Sequence, residues 1–221
     1  MKLILFSGDH PRHLFVNQKV LEFFDEILVV IMQREELLPE PPSALDKHDE
    51  KLFKLHFENR HRVEASVFGN LNAVDVFKNV NSMFIKPDEL NTKRVADKVG
   101  KFNADFCFIF GVGLILEPVI DVLPKDKINL HLGLSPWYKG GATLFWPFYH
   151  LEPQFCGSTF HQITKQADAG EIIHQCVPKL LPGDTIHDVG ACFVVKARDE
   201  LSKIFGHWNV EKGFEGIVQK T

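Results

Sequence analysis

Two polar side chains, Asn129 and His131, stand two positions apart in a short apolar segment of this 221-residue chain. The segment runs Ile-Asn-Leu-His-Leu over residues 128–132, and a loop rich in glycine and proline follows it. Side chains alternate between the two faces of a β-strand, so Asn129 and His131 are expected to point the same way. An amide can donate a hydrogen bond to an oxyanion, and an imidazole can carry a proton near neutral pH. The pair is therefore a candidate for acid–base chemistry, although an ordinary strand end has the same pattern.

Further motifs follow this pair in a fixed order along the chain. They are Ser-Pro at 135–136, Gly-Gly at 140–141, Gly-x-Thr at 157–159 and Asp-x-Gly at 168–170. Together with Asn-x-His, this order resembles the formyltransferase family that uses a formyl-tetrahydrofolate donor. The family includes methionyl-tRNA formyltransferase, glycinamide ribonucleotide transformylase and sugar-nucleotide N-formyltransferases. The matching motifs cover about residues 105–185, and a looser pattern of elements covers most of the chain.

The resemblance assigns roles to three residues. Formyl transfer to an amine passes through a tetrahedral intermediate and needs an oxyanion donor, a base and a group that holds the base. By resemblance, Asn129 hydrogen-bonds the formyl oxygen, and His131 takes the amine proton or, when protonated, steadies the oxyanion. Asp168 orients and polarises His131, directly or through water. The base is either His131 or a water held by Asp168. No metal is assigned, and no nucleophilic serine or cysteine is needed because the amine attacks directly.

A predicted strand over residues 105–110 leads into Gly-Val-Gly at 111–113. The resemblance implies that the backbone after this strand lines the slot for the folate pterin, where glycines allow close approach to a flat ring. A turn that needs positive φ would explain the same glycines. The residues expected to bind the donor, N10-formyltetrahydrofolate, are Phe110, Gly111, Gly113, Leu114, Ile115, Gln166 and Ala167.

Acceptor contacts are expected from two loops. His10 and Arg12 lie in the polar loop 7–13 after the first predicted strand, near the crevice in which α/β folds bind ligands. Tyr138 and Lys139 follow Pro136 on the loop that should overhang the site. For each of these side chains a solvated position is the alternative.

The predicted fold class is α/β, a Rossmann-like formyltransferase fold with a mostly parallel sheet flanked by helices. Continuous apolar runs at 2–6, 27–32 and 105–110 are typical of strands buried on both faces of such a sheet. Residues 1–205 are expected to form the catalytic domain. Residues 206–221 are expected to form a short C-terminal tail, as a strand or a dimer contact.

Several helices are expected around this sheet. One covers residues 45–68 and ends at Gly69, with His56 and His61 on a solvated face or, alternatively, against a substrate phosphate. A second helix is expected to begin at Asn91 or Thr92 and to end at Gly100. A third is expected to cover residues 117–122, and a fourth to begin at residue 184 or 185.

The aromatic-rich segment 140–151 is predicted to be a helix packed on the sheet, with a base-stacking platform as the alternative. His161 and His174 are predicted to be ordinary strand histidines.

The composition gives no sign of a nucleic-acid or membrane partner. Hydrophobic residues make up 45%, charged residues 24% and the net charge is −4. No apolar run reaches membrane-spanning length, and the N-terminal apolar run is too short for a signal peptide. The four cysteines form no Cys-x-x-Cys pair, and Cys107, Cys176 and Cys192 are predicted to be small core residues. These features fit a reduced, cytoplasmic setting.

The acceptor is expected to be a nucleotide-linked amino sugar. Gly-Leu-Ser-Pro-x-Tyr-Lys-Gly at 133–140, with Phe-Trp-Pro at 145–147, looks like the sugar-nucleotide N-formyltransferases. Residues 132–136 and 7–10 depart from the purine transformylase, and the short tail and negative charge count against tRNA. The expected reaction formylates a sugar such as dTDP-4-amino-4,6-dideoxyhexose for O-antigen or lipopolysaccharide synthesis. The alternatives are another small amine such as a purine precursor, a formyltetrahydrofolate hydrolase, and a non-catalytic folate- or nucleotide-binding module. A homodimer is also considered.

Overall fold

A computed structural model describes residues 1–34, 36–209 and 211–220 of the chain. Its strands are β1 (Lys2–Gly8), β2 (Glu26–Met32), β3 (Asn81–Ile85), β4 (Phe106–Phe110), β5 (Asp126–His131), β6 (Ser158–Gln162) and β7 (Ile172–Cys176). Its α-helices are α1 (Pro11–Val20), α2 (Lys47–Phe68), α3 (Ala73–Val76), α4 (Lys93–Phe102), α5 (Trp146–Tyr149) and α6 (Ile186–His207).

The strands form one sheet in the order β3-β2-β1-β4-β5-β6-β7. The first five are parallel to one another, and β6 and β7 run antiparallel at one edge. Strand β1 lies at the centre of the parallel part, and its residues from Leu3 to Ser7 are completely buried. A strand covered by helices on both faces is apolar where it is covered, as Leu3–Phe6 of β1 are. The predicted Rossmann-like fold with a mostly parallel sheet is confirmed.

Side chains along β1 alternate between two hydrophobic cores. Leu3 and Leu5 pack in the core shared with α1, α2 and α6, whereas Ile4 and Phe6 pack in the core shared with α4. Each fully buried side chain of this size stabilises the fold by roughly 1.5–3 kcal/mol relative to exposure. The two cores place the helices on opposite faces of the sheet and leave its strand ends open for a site.

Capping residues mark the ends of the long helices. The Asp46 side chain accepts hydrogen bonds from the first turn of α2, and Thr185 forms a capping box with Asp188 at the start of α6. The prediction that Gly100 ends α4 was wrong. The helix continues to Phe102, which packs against the second core, and Asn103 follows in the left-handed conformation with φ 50°.

The predictions for two segments and one cysteine were wrong. Only Ile120–Val122 within residues 117–122 forms a helical turn, of the tighter 3₁₀ type. Segment 140–151 contains only the single turn α5, and Leu151 follows it with a φ of 57°. Phe145, Trp146 and Tyr149 contact one another, and 40%, 41% and 66% of their surfaces remain exposed. Cys192, predicted to be in the core, lies on an exposed position of α6.

The tail after α6 folds back on the edge of the sheet. Trp208 donates a hydrogen bond from Nε1 to Asp126 at 2.9 Å, and Ile217 forms an isolated bridge with Ile172 of β7. The boundary expected between residues 205 and 206 falls in the last turn of α6, which ends at His207. The tail is therefore anchored to β5 and β7.

The His13 imidazole is clamped between two backbone segments beneath the strand ends. A Cβ atom on Gly8 would lie 2.3 Å from the ring, and one on Gly111 would lie 2.5 Å from it. Phe110 packs edge-on against the same ring. Burial, followed by the charge of Arg12 and of other nearby cations, holds the pKa of His13 well below its usual range.

This buried histidine should make the protein less stable in mild acid. Below its usual pKa of about 6.5 an unfolded His13 binds a proton that the native protein excludes, so stability falls as pH falls. Replacing His13 with Gln should flatten the dependence of the unfolding free energy on pH by up to about 1.4 kcal/mol per pH unit below pH 6.5. Urea unfolding between pH 7.5 and 5.0 measures this slope, with exposed His48→Gln as the control. Equal slopes in wild type and His13→Gln would contradict the prediction.

Candidate active site

The carboxyl ends of β4 and β5 open into a cavity of about 770 Å³, which is within the usual size of a small-molecule site. Four polar side chains line it close together: Asn129 and His131 from β5, His161 from β6, and Asp168 from the loop between β6 and β7. The structure thus brings the three predicted catalytic residues together and adds His161, for which the sequence predicts an ordinary strand position.

Strand geometry places the two residues of the Asn-x-His motif. Asn129 and His131 share one face of β5, whereas Leu130 between them packs in the core beside α6. Because β5 and β6 are antiparallel, Asn129 lies directly opposite His161. The Asn129 Nδ2 atom is 3.2 Å from the His161 Nε2 atom.

One carboxylate contacts both imidazoles. Oδ1 of Asp168 lies 3.2 Å from Nε2 of His161, and Oδ2 lies 3.5 Å from Nδ1 of His131. The Gly140 backbone N–H also donates to Oδ2 at 2.8 Å. Only 14% of the Asp168 side chain is exposed, so these contacts act in a largely dry environment.

Backbone carbonyls fix which ring nitrogens exchange protons. His131 Nε2 lies 2.9 Å from the Tyr138 carbonyl, and His161 Nδ1 lies 2.8 Å from the Gln162 carbonyl. A carbonyl oxygen only accepts, so these two nitrogens carry hydrogen. The nitrogens left to gain or lose a proton are Nδ1 of His131 and Nε2 of His161, and both face Asp168.

The surroundings shift the pKa values of His131 and Asp168. Burial lowers the pKa of His131, and the negative charge of Asp168 and the bond to Tyr138 offset part of that effect. Burial by itself would raise the pKa of Asp168, but the hydrogen bond from His161 and the charge of His131 bring it below its usual value. Near neutral pH this combination favours a neutral His131 beside an ionised Asp168, as a proton acceptor requires.

The glycine of Asp-x-Gly has a packing role. A Cβ atom on Gly170 would lie 1.8 Å from the backbone oxygen of Gln162, so only glycine lets this loop lie against β6. From the C-terminal tail, the Gln219 side chain donates to the carbonyls of Asp168 at 2.9 Å and of Gly170 at 2.6 Å. Both features hold the loop that carries the carboxylate.

Thr159 of the Gly-x-Thr motif ties β6 to the loop after His131. Its hydroxyl donates to the Gly133 carbonyl at 2.7 Å and accepts from the Ser135 N–H at 3.1 Å. That loop continues to Tyr138, whose carbonyl holds the His131 ring. The motif therefore positions the histidine without contacting it.

The residues expected to bind the donor come from two segments that line the cavity, the wall 110–115 after β4 and residues 166–167 between β6 and β7. Gly111 has a φ of 87°, a conformation that favours glycine, whereas a Cβ on Gly113 would meet Leu90 at an ordinary 3.5 Å. Backbone and apolar side chains of this wall suit a flat ring with polar edges. The following predicted donor residues all line the cavity: Phe110, Gly111, Gly113, Leu114, Ile115, Gln166 and Ala167.

The predicted acceptor residues are not all at the cavity. Arg12 lines it, with its Nη1 atom 2.7 Å from the Glu64 carboxylate. His10 is buried where α1 begins and does not line the cavity. The side chains of Tyr138 and Lys139 also lie outside the cavity lining. The Tyr138 hydroxyl donates to Glu152, which raises the pKa of the phenol to about 12.

Among the residues that the structure describes, no group of three or more His, Cys, Asp or Glu side chains is arranged to hold a metal ion. Across residues 1–34, 36–209 and 211–220, no helix combines the length and the apolar character needed to cross a membrane.

An amide, two imidazoles and a carboxylate at the strand ends of a Rossmann-like sheet form a site suited to acyl-group transfer. The chain belongs to the formyl transferase family, whose model matches residues 52–201. That match contains the whole of β5, β6 and the Asp168 loop.

Solved structures share the fold along nearly the whole chain. A 4-N formyltransferase from Francisella tularensis has a TM-score of 0.63 at 17% identity, over 100% of this chain and 73% of that one. A phosphoribosylglycinamide formyltransferase from Anaplasma phagocytophilum has a TM-score of 0.62 at 14% identity, over 94% and 86%. The formyltransferase PseJ from Anoxybacillus kamchatkensis, in complex with UDP-4,6-dideoxy-4-formamido-L-AltNAc and tetrahydrofolate, has a TM-score of 0.55 at 20% identity, over 100% and 82%.

Proposed function

We propose that this protein transfers a formyl group from N10-formyltetrahydrofolate to the amine of a nucleotide-linked amino sugar. The observation that carries the proposal is the convergence of Asn129, His131 and Asp168 on one cavity beside the glycine-containing wall 110–115. The product would enter synthesis of a surface polysaccharide such as O-antigen.

Each polar group has a distinct task in this reaction. The acceptor nitrogen forms a bond to the formyl carbon, the bond from that carbon to N10 of the folate donor breaks, and tetrahydrofolate leaves with the released proton delivered to N10. The Asn129 amide donates a hydrogen bond to the formyl oxygen as negative charge develops there. The Nδ1 atom of His131 takes the proton that the attacking amine loses. Asp168, 3.5 Å from that nitrogen, stabilises the resulting imidazolium.

His161 holds the other two polar groups in place. Its Nδ1–H is anchored on the Gln162 carbonyl, while its Nε2 faces both Asn129 and Asp168. A neutral Nε2 accepts a hydrogen bond from the Asn129 amide, and a protonated Nε2 donates to Asp168. The ring therefore couples the orientation of the amide to the charge of the carboxylate.

Two observations favour a sugar nucleotide over a purine precursor. The loop after β1 continues at once into α1, with the His13 ring between Gly8 and Gly111, and does not resemble a glycine-rich phosphate loop. The structural neighbours include the PseJ complex with a UDP-linked formamido sugar and tetrahydrofolate. They also include phosphoribosylglycinamide formyltransferases, so the acceptor is the part that an experiment has to decide.

A formyl-transfer assay tests this function. Purified protein is incubated with N10-formyltetrahydrofolate and a panel of amino-sugar nucleotides and phosphoribosylglycinamide, and tetrahydrofolate release and product mass are measured. A single sugar nucleotide that gains one formyl group supports the proposal. Formylation of phosphoribosylglycinamide alone, or tetrahydrofolate release without any acceptor, would reject it in favour of a purine transformylase or a hydrolase.

Replacing His161 with Phe is expected to lower kcat by about 10- to 100-fold with little change in KM. Phe fills the same space but loses the hydrogen bond to a charged group, a contribution of about 1.5–3 kcal/mol. Because that bond holds the pKa of Asp168 down, the pKa of this carboxyl should rise in the variant. Steady-state kinetics and an NMR titration of the Asp168 carboxyl measure the two effects.

The matched control is His174→Phe. His174 lies on the neighbouring strand β7, half-buried beside Glu200 and outside the cavity lining. Its replacement should leave kcat within about twofold of wild type, as expected away from the site. Equal losses in the two variants would show that the His161 effect is a general disturbance of the sheet.

A further inference from the structure

Three basic side chains gather at the part of the cavity lined by α2 and α6. His56 and Arg60 are one turn apart on α2, and His187 lies in the first turn of α6. All three line the cavity, so the prediction of a solvated helix face was wrong for His56. His61, on another face of α2, does not line it. The reaction described above gives these basic groups no task.

The cluster is packed into a defined arrangement. The His56 and His187 rings have centroids 4.6 Å apart and are tilted by 60°. The Arg60 guanidinium lies over the Phe57 ring at 4.4 Å, and Phe57 also contacts the His56 ring edge-on. Stacking on an aromatic ring fixes the plane of a guanidinium, so its N–H groups have a set direction.

The carboxylates among the described cavity residues are engaged elsewhere. Glu64 is paired with Arg12 at 2.7 Å, and Asp168 contacts His131 and His161. Arg60 also donates a hydrogen bond from Nη2 to the Leu37 carbonyl at 3.5 Å.

Electrostatic effects on the two histidines agree with this geometry. Burial and then the charge of Arg60 lower the pKa of His56. Burial, His56 and Arg60 lower the pKa of His187, and the opposing effects of Glu64 and Asp188 are smaller. An anion between these groups would replace repulsion with attraction.

A second observation also indicates an anion. The buried His13 side chain lines the same cavity, and its Nδ1 atom has no hydrogen-bond partner among the described residues. The first turns of α6 contribute Ile186, His187 and Gly190 to the lining, and a helix N-terminus favours negative charge.

The cluster and the catalytic groups line one continuous cavity. Helices α2 and α6 pack in the core on one face of the sheet, together with Phe110, whereas Ile115 of the donor wall belongs to the core on the other face. Leu130 packs in the core beside α6, so Asn129 and His131 point to the opposite face of β5. The cavity at the strand ends is lined from both faces, so a molecule bound against α2 and α6 would reach Asn129 and His131 across the ends of the strands.

We propose that His56, Arg60 and His187 bind a phosphate group of the amine acceptor. The proposal rests on the proposed function, because it places the acceptor amine at Asn129 and His131 and its phosphate at α2 and α6. A doubly charged phosphate can accept paired hydrogen bonds from a guanidinium and further bonds from two imidazoles. The acceptor class is then a phosphate ester or diphosphate, not a neutral amino sugar.

Binding of inorganic pyrophosphate tests the subsite directly by isothermal titration calorimetry. Compared with wild type, Arg60→Gln and the double variant His56→Asn/His187→Asn should each bind pyrophosphate at least about tenfold more weakly, since each loses charged hydrogen bonds. Arg62→Gln is the matched control, because Arg62 is an exposed arginine on the same helix outside the cavity lining. Circular dichroism melting verifies that each variant is folded. Unchanged pyrophosphate affinity in the folded variants would overturn the proposal.

A second arm distinguishes the acceptor phosphate from the carboxylates of the folate tail. Binding of pteroylglutamate and of pteroic acid, which lacks the glutamate, is measured for the same variants. Selective loss of pteroylglutamate binding in Arg60→Gln, with pyrophosphate binding retained, would assign the cluster to the donor and overturn the proposal. If no acceptor is formylated but pyrophosphate binding still requires Arg60, the subsite is supported and the proposed reaction fails.

Discussion

Replacing Asn129 with Ala is expected to lower kcat by ~10²–10³-fold and to leave the fold intact. The amide is placed beside His161 and faces the cavity, where it can donate to the oxygen of the transferred group. That hydrogen bond is strongest when the oxygen carries the most negative charge, so its loss raises the barrier more than it weakens binding. KM should therefore change much less than kcat.

Steady-state kinetics with the acceptor found in the formyl-transfer assay measure this effect. Asn70→Ala is the control, because Asn70 is an exposed asparagine in the turn after α2. A melting temperature within a few degrees of wild type would establish that the variant is folded. Near-native turnover in folded Asn129→Ala would remove this residue from the proposed mechanism.

The parallel core of the sheet was predictable because β1, β2 and β4 contain nearly continuous apolar runs. Residues Leu3 to Phe6 are completely buried. A strand with one face in water would expose every second one of these apolar side chains, so the run indicates a strand covered on both faces. Helix starts were also predictable where a capping side chain is present, as at Thr185. These signals are local, so the sequence carries them without knowledge of tertiary contacts.

Long-range pairing was not predictable in the same way. Asn129 and His131 share a face because of the two-residue period of a strand, which sequence alone provides. His161 joins them only because β6 runs antiparallel to β5 in one register, although Asn129 and His161 are 32 positions apart in the sequence. A one-residue shift of that register would turn His161 to the other face.

Composition does not predict burial where tertiary contacts decide it. The aromatic-rich segment around α5 resembles a core helix, yet 41% of the Trp146 surface and 66% of the Tyr149 surface are exposed to solvent. The reverse occurs on α2, where the polar residues His56 and Arg60 face a cavity because α6 packs alongside. Polarity predicts exposure only for a helix whose neighbours are known.

Replacing Asp168 with Asn should lower kcat by roughly 10²-fold or more and shift the pH profile of the reaction. Asn has the same shape and can still accept the hydrogen bond from the Gly140 N–H, so the loop should keep its position. It has no charge to stabilise a protonated His131, whose Nδ1 lies 3.5 Å from the carboxylate. His131 is therefore a weaker base when it takes the proton from the attacking amine.

The direction of the pH shift identifies the base. In the wild-type protein, burial lowers the pKa of His131 while the charge of Asp168 raises it, so removing that charge lowers this pKa further. If neutral His131 accepts the proton, activity rises as pH increases through its pKa, and the acid limb of kcat/KM in Asp168→Asn moves to lower pH. Exposed Asp97→Asn on α4 should leave the limb unchanged.

If the base is instead a water held by the carboxylate, the acid limb should disappear in Asp168→Asn, because the group that titrates has been removed. A limb that moves down therefore assigns proton transfer to His131 and confines Asp168 to stabilising its charge.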